Sequence, residues 1–134
     1  MDNFENASAR HFYDATLLFT QTPYRVANAS HLFGVSAECA LKAIAKNSNP
    51  TANFRGRNGH IPQLFVELIH IAPGISGNTA LVSGIDSIKS YFLSWKVEQR
   101  YHSEASFIEA TVAQQQIGAN QAQLLMSNHL QGLI

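Results

Sequence analysis

The chain has 134 residues, 46% of them hydrophobic and only 13% charged, with nine Lys and Arg balancing nine Asp and Glu. A neutral balance excludes a generic polyanion binder with one basic face, and the apolar content excludes a disordered tail. The length fits one domain over residues 1–134. A single Cys permits no intrachain disulfide, and no apolar run reaches the length of a membrane span. The start, with Asp2 and Glu5, lacks the basic and apolar stretches of a signal peptide, so a cytoplasmic domain is expected.

Residues 4–20 read as a first helix, with Phe4, Ser8, Phe12, Ala15 and Phe19 on one face and Pro23 as the stop. Residues 25–46 read as a second, central helix. Its expected core stripe is Leu32, Val35, Cys39 and Ala43, widened by Ala29, Ser36 and Ala40. The run 47–59, rich in Asn, Ser, Pro and Gly, reads as a long loop. A short third helix is expected over 62–71, with Pro62 in its first turn and Pro73-Gly74 as its stop.

Helix four is expected over 79–93, where Leu81, Ile85, Ile88, Phe92 and Trp95 give the cleanest amphipathic pattern. Residues 94–103 read as a connector, and helix five as 104–130. Ser106 and Glu109 have capping-box spacing near its start. Neither a repeat nor a strand pattern is found. The fold class is therefore all-α, an up-and-down bundle of about five helices. Phe12, Phe19, Leu32, Val35, Ile88, Phe92 and Trp95 are expected in its core.

Polarity is uneven. Between Cys39 and Val66 lie Lys42, Lys46, Arg55 and Arg57 and no acid; after Glu109 there is no Asp, Glu, Lys or Arg at all. A final helix with Gln in place of solvating charges, and with Ala110, Ala113, Ile117, Leu124 and Leu125 along one side, points to association, as a homodimer or with a partner protein. An exposed Gln-rich face is the plainer alternative.

Six His and one Cys show no metal-ligand spacing, and the common Gly-rich phosphate loops are missing, so no metal and no cofactor are expected. Cys39 sits mid-helix on an apolar face, as a small buried hydrophobe does. Glu38 and Lys42 form an i,i+4 pair in the favourable order within the most apolar helix. Two readings stand for them: an ion pair that fixes packing, or a polar pocket in which Lys42 faces an anion. Both side chains are expected half-buried or more and close together, with His60 at the mouth of the same cleft.

The segment HLFGVSAECALKAIAKN, then a loop and NGHIPQLFVEL, then WKVEQRY and a helix opening SEASFIEA, resembles the HEPN superfamily of helical bundles. The matching residues are Ala37, Glu38, Leu41 and Lys42 in helix two, Gly59-His60 before helix three, and Trp95, Arg100 and Tyr101 ahead of the last helix. The resemblance covers about residues 7–128. It implies one of two activities. Many HEPN domains are metal-independent, dimeric, toxin-type ribonucleases with an Arg-x4–6-His motif near the last helix. There the Arg holds phosphate and the His assists proton transfer at a ribose 2′-hydroxyl. Others bind nucleotides, or pair with a small nucleotidyltransferase or an antitoxin.

This chain departs from the ribonuclease pattern. Arg100-Tyr101-His102 leaves one residue between Arg and His, and the pairs Arg25/His31 and Arg55/His60 have the spacing but lie elsewhere in the fold. The expectation is therefore a binding module for a nucleotide, RNA or partner protein. A metal-independent ribonuclease and a structural dimerisation bundle are the alternatives. Glu38, Lys42, His60 and Tyr101 are the candidate ligand-binding residues, and Arg100 and His102 the candidate catalytic pair. In a dimer built on the last helix, Arg100 and His102 would approach their symmetry mates.

Overall fold

A computed structural model describes residues 2–21 and 25–134. Among them are five α-helices and no strand: α1 (Phe4–Thr20), α2 (Val26–Ser48), α3 (Gln63–Ile71), α4 (Thr79–Lys89) and α5 (Glu109–Leu130). Short 3₁₀ turns at Gly56–Gly59, Pro73–Gly77, Val97–Tyr101 and Glu104–Ser106 join the later helices. The all-α bundle of about five helices is thus the observed architecture. No helix among the described residues is long and apolar enough to cross a membrane.

Local chemistry fixes most helix ends. The Asn3 side chain accepts a hydrogen bond from the Asn6 N–H and caps α1, and Asn78 does the same for α4 through the Leu81 N–H. The expected stop at Pro23 lies outside the described residues. α2 runs two residues past its expected end, to Ser48. It stops where Asn49, ahead of Pro50, turns extended (φ −140°, ψ 96°). α3 likewise ends just ahead of a proline, with Ala72 out of helical geometry (φ −135°, ψ 81°) before Pro73.

Two boundaries differ from expectation. α4 ends at Lys89, not 93, because the backbone tightens into i→i+3 bonds: Tyr91 N–H to Ile88 O, Phe92 N–H to Lys89 O and Trp95 N–H to Phe92 O. The apolar stripe survives that change, and Leu81, Ile85, Ile88, Phe92 and Trp95 are all buried. α5 begins at Glu109, not 104. The Glu104 carboxylate is drawn away to accept from the Ala27 N–H at the start of α2, and Phe107 and Ile108 pass through extended backbone. The Ser106–Glu109 capping box does not form; Ile108 is the cap residue, without a side-chain bond, and Ser106 Oγ pairs with Ser103 Oγ.

α2 is the centre of the bundle, packed by α1 on one side and α5 on another. With neighbours around it, α2 has no single core stripe. Its deepest residues are Ala29, Phe33, Ala37, Ala40, Leu41 and Ile44, whereas Leu32 and Val35 are only half-buried. Phe12 and Phe19, expected in the core, are also half-buried; their rings pack on Phe33 at centroid distances of 6.0 and 6.1 Å.

Two buried polar seams tie the helices. Ser8 Oγ donates to Ser36 O and Ser36 Oγ donates to Ser8 O, both at 2.7 Å, and Gln123 Nε2 donates to Ser8 Oγ. On the other side of α2, Ser30 Oγ donates to Gln115 Oε1 (2.6 Å) and accepts from Gln99 Nε2 (2.7 Å). Trp95 Nε1 donates to Ser30 O at 2.8 Å. Gly34 makes that last contact possible, since a Cβ there would lie 1.9 Å from the indole.

Candidate functional site

Glu38 projects from the middle of α2 and is buried. Its partner is His60, just ahead of α3, whose Nδ1 lies 3.2 Å from both carboxylate oxygens. The Ile61 N–H also donates to Glu38 Oε1, at 3.0 Å. This is the one contact within 4.0 Å between a carboxylate and a basic side chain among the described residues, and it is strongly asymmetric: the His60 side chain is 41% exposed and that of Glu38 5%. Burial raises the Glu38 carboxyl above its ordinary value; His60, Lys42 and the Ile61 N–H oppose that rise without cancelling it. A buried carboxylate with these partners, once stripped of them, would cost about 3–5 kcal/mol.

Lys42 does not contact Glu38. Its Nζ lies 5.7 Å from the Phe4 ring centroid and 5.5 Å from that of Phe54, which are packed edge to face. The ion pair expected within α2 is therefore replaced by a bond from α2 to the segment leading into α3. The physical reason is reach: the loop returns His60 and a backbone N–H to the carboxylate, while the longer Lys side chain is held by two aromatic faces. Lys42 influences Glu38 only through its charge.

His60 opens onto a cleft of about 690 Å³. One side is the segment carrying Arg57, His60, Ile61, Pro62 and Gln63; the other is the connector 93–98. The connector brings Trp95, Lys96, Val97 and Glu98 to the cleft. Two permanent cations, an imidazole and one acid thus share a concave surface with apolar walls. Such a surface suits an anionic ligand with an apolar or planar part. Sequence reading put His60 at the mouth of a cleft shared with Glu38 and Lys42; neither lines this one, and its companions Arg57, Trp95 and Lys96 were missed. Arg57 was visible as part of the acid-free stretch, and Trp95-Lys96 as the start of the connector. Only the fold shows that the two segments face each other.

Arg100, Tyr101 and His102 are exposed on the 3₁₀ turn Val97–Tyr101 and its cap, not at the start of α5. The Arg100 guanidinium lies 4.8 Å from the Tyr101 ring centroid, whereas His102 lines an adjoining, smaller cleft of about 260 Å³ that shares Ser94 and Lys96 with the larger one. Neither Arg100 nor Tyr101 lines the larger cleft, so the six candidate residues do not form one site. Glu38 and His60 come together; Lys42 is held nearby by aromatics; the other three stand apart. Cys39 is buried, its thiol pushed up to about 11 by that burial, so it is a poor nucleophile. Among the described residues no three His, Cys, Asp or Glu side chains converge as a metal site requires.

Comparisons with protein-family models, with curated proteins and with solved structures found no match to this chain.

Proposed function

We propose that the chain is a HEPN-like helical binding module and that its ligand is a nucleotide, free or at the end of an RNA. The binding place in this reading is the cleft between residues 57–63 and 93–98. The observation that carries the reading is the convergence of Arg57, Lys96 and His60 with the apolar side chains of Leu93 and Val97 on one concave surface. Guanidinium and ammonium groups take phosphate oxygens, and the apolar wall takes a base. The likeness to HEPN domains is supported by the five-helix order. It is supported too by the contact between Glu38 of the Ala-Glu-x-x-Leu-Lys segment and His60 of the Gly-His pair.

Trp95 is the sole tryptophan and lies buried beneath the cleft, so its emission serves as an intrinsic probe of changes there. Titration with adenosine 5′-monophosphate in the presence of EDTA is expected to give a saturable change, weakened in Arg57→Ala and Lys96→Ala. A flat response up to about 10 mM, weaker than −3 kcal/mol of binding, would reject the reading.

The module acts as a homodimer in this account. Ile117 and Leu124 are exposed on α5, whose outer face carries no charged side chain beyond Glu109. Light scattering is expected to give twice 14.7 kDa, reverting to the single mass in Leu124→Glu.

A further inference from the structure

The Glu38–His60 contact constrains more than the position of a ring. Glu38 Oε1 accepts from the Ile61 N–H, and both carboxylate oxygens face His60 Nδ1 at 3.2 Å. An ionised carboxylate only accepts, so the neutral imidazole carries its hydrogen on Nδ1 and donates it to Glu38. The second ring nitrogen, Nε2, is on the opposite edge of the ring from that bond. It is left free of that bond, in a side chain that is 41% exposed and lines the cleft. The cleft therefore offers two chemistries together: cationic donors at Arg57 and Lys96, and, in the unprotonated form of the ring, an acceptor at His60. A bare inorganic anion uses only the first. An acceptor held in place by a buried carboxylate calls for a ligand that brings an O–H donor of its own.

We infer that the ligand is a phosphate ester bearing a free hydroxyl, its phosphate at Arg57 and Lys96 and its hydroxyl donating to Nε2 of His60. This rests on the cleft being a nucleotide site and adds what the site selects. His60 is the reader of the hydroxyl. Glu38, which touches no ligand, is the positioning residue that keeps the acceptor nitrogen outward. No covalent step is involved. A ribonucleotide and a simple sugar phosphate share this chemistry.

The test is a Trp95 fluorescence titration of the full chain with four ligands: adenosine 5′-monophosphate, its 2′,3′-dideoxy analogue, ribose 5-phosphate and inorganic phosphate. Loss of one hydroxyl–imidazole bond is expected to weaken the dideoxy analogue about fivefold against the parent nucleotide. That gap closes in His60→Ala, which also strips Glu38 of a partner, so the variant is titrated only after circular dichroism shows it folded, and inorganic phosphate binding serves as the check on the intact cleft. The gap narrows in Glu38→Gln, because an amide donating to Nδ1 moves the ring hydrogen to Nε2 and the ligand hydroxyl must turn from donor to acceptor; inorganic phosphate affinity is retained in that variant, which a merely structural role for Glu38 would not predict.

Ribose 5-phosphate binding as well as the nucleotide identifies a sugar phosphate as the ligand, and weaker binding identifies the nucleotide. Equal affinity for the nucleotide and its dideoxy analogue overturns the inference and leaves the nucleotide site standing. A gap that persists in His60→Ala overturns the assignment to His60. No binding by any of the four overturns the site as well.

Discussion

Replacing Gly34 by Ala adds one methyl group at the tightest point of the bundle. The new Cβ would lie 1.9 Å from Trp95 Cε2, 2.2 Å from Nε1 and 2.3 Å from Cζ2. These atoms belong to a rigid bicyclic ring that is 1% exposed, so the indole cannot swing a flexible end aside. It must translate, and the Nε1–H bond to Ser30 O at 2.8 Å is then lost. Overpacking costs about 1–3 kcal/mol and the lost hydrogen bond about 1 kcal/mol. Ala is favoured over Gly in a helix interior by about 1 kcal/mol, which leaves a net loss of about 2 kcal/mol. Urea unfolding followed by far-ultraviolet circular dichroism measures it, and Trp95 emission in the folded variant should shift to the red. Gly77→Ala is the control, since a Cβ there meets nothing within 4 Å. A Gly34→Ala protein as stable as the parent would refute the packing of Trp95 against α2, and with it the shape of the cleft that Trp95 lines.

Phe92 is fully buried at the end of the α4 stripe, and Phe92→Ala should lose about 3–5 kcal/mol in the same assay; a loss below about 1 kcal/mol would contradict its place in the core. His31 is depressed below 6.5 by burial, with the Arg100 and His11 charges adding to the effect. The unfolded chain therefore binds that proton more tightly than the native state. The stability tied to His31 is present in full above 6.5 and is lost as the pH falls from there to the depressed native value. Melting temperature should drop across that interval, and drop less steeply in His31→Asn. Glu38 carries the opposite sign, because its native value is raised above 4.5. Its contribution favours the native state below 4.5 and is lost as the pH rises through the native value, so Glu38→Gln should gain stability relative to the parent as pH increases.

The helices were legible because their signals are local. Phe4, Ser8, Ala15, Leu81, Ile85 and Ile88 repeat at helical spacing. α2 was legible as central but not in its facing. A helix packed from several sides buries Phe33, Leu41 and Ile44 as well as any stripe, and periodicity reports only one face. The site was half legible for the same reason. Glu38 stood out as an acid in an apolar helix and His60 through the Gly59-His60 pair of the HEPN resemblance. Their contact closes a separation of 22 residues through a loop without regular periodicity. The pairing of Glu38 with Lys42 was the local guess, and Phe4 and Phe54 defeat it from distant positions. Likewise, the start of α5 depended on Glu104 reaching the Ala27 N–H across 77 residues, which no window along the chain contains.

The most direct measurement is an amide and indole NMR titration of the chain with adenosine 5′-monophosphate. If the cleft is the nucleotide site, the perturbed signals are those of residues 57–63, Lys96 to Glu98 and the Trp95 indole N–H, while Arg100 to His102 stay still. Shifts confined to Arg100 to His102, or none at saturating ligand, would contradict the account.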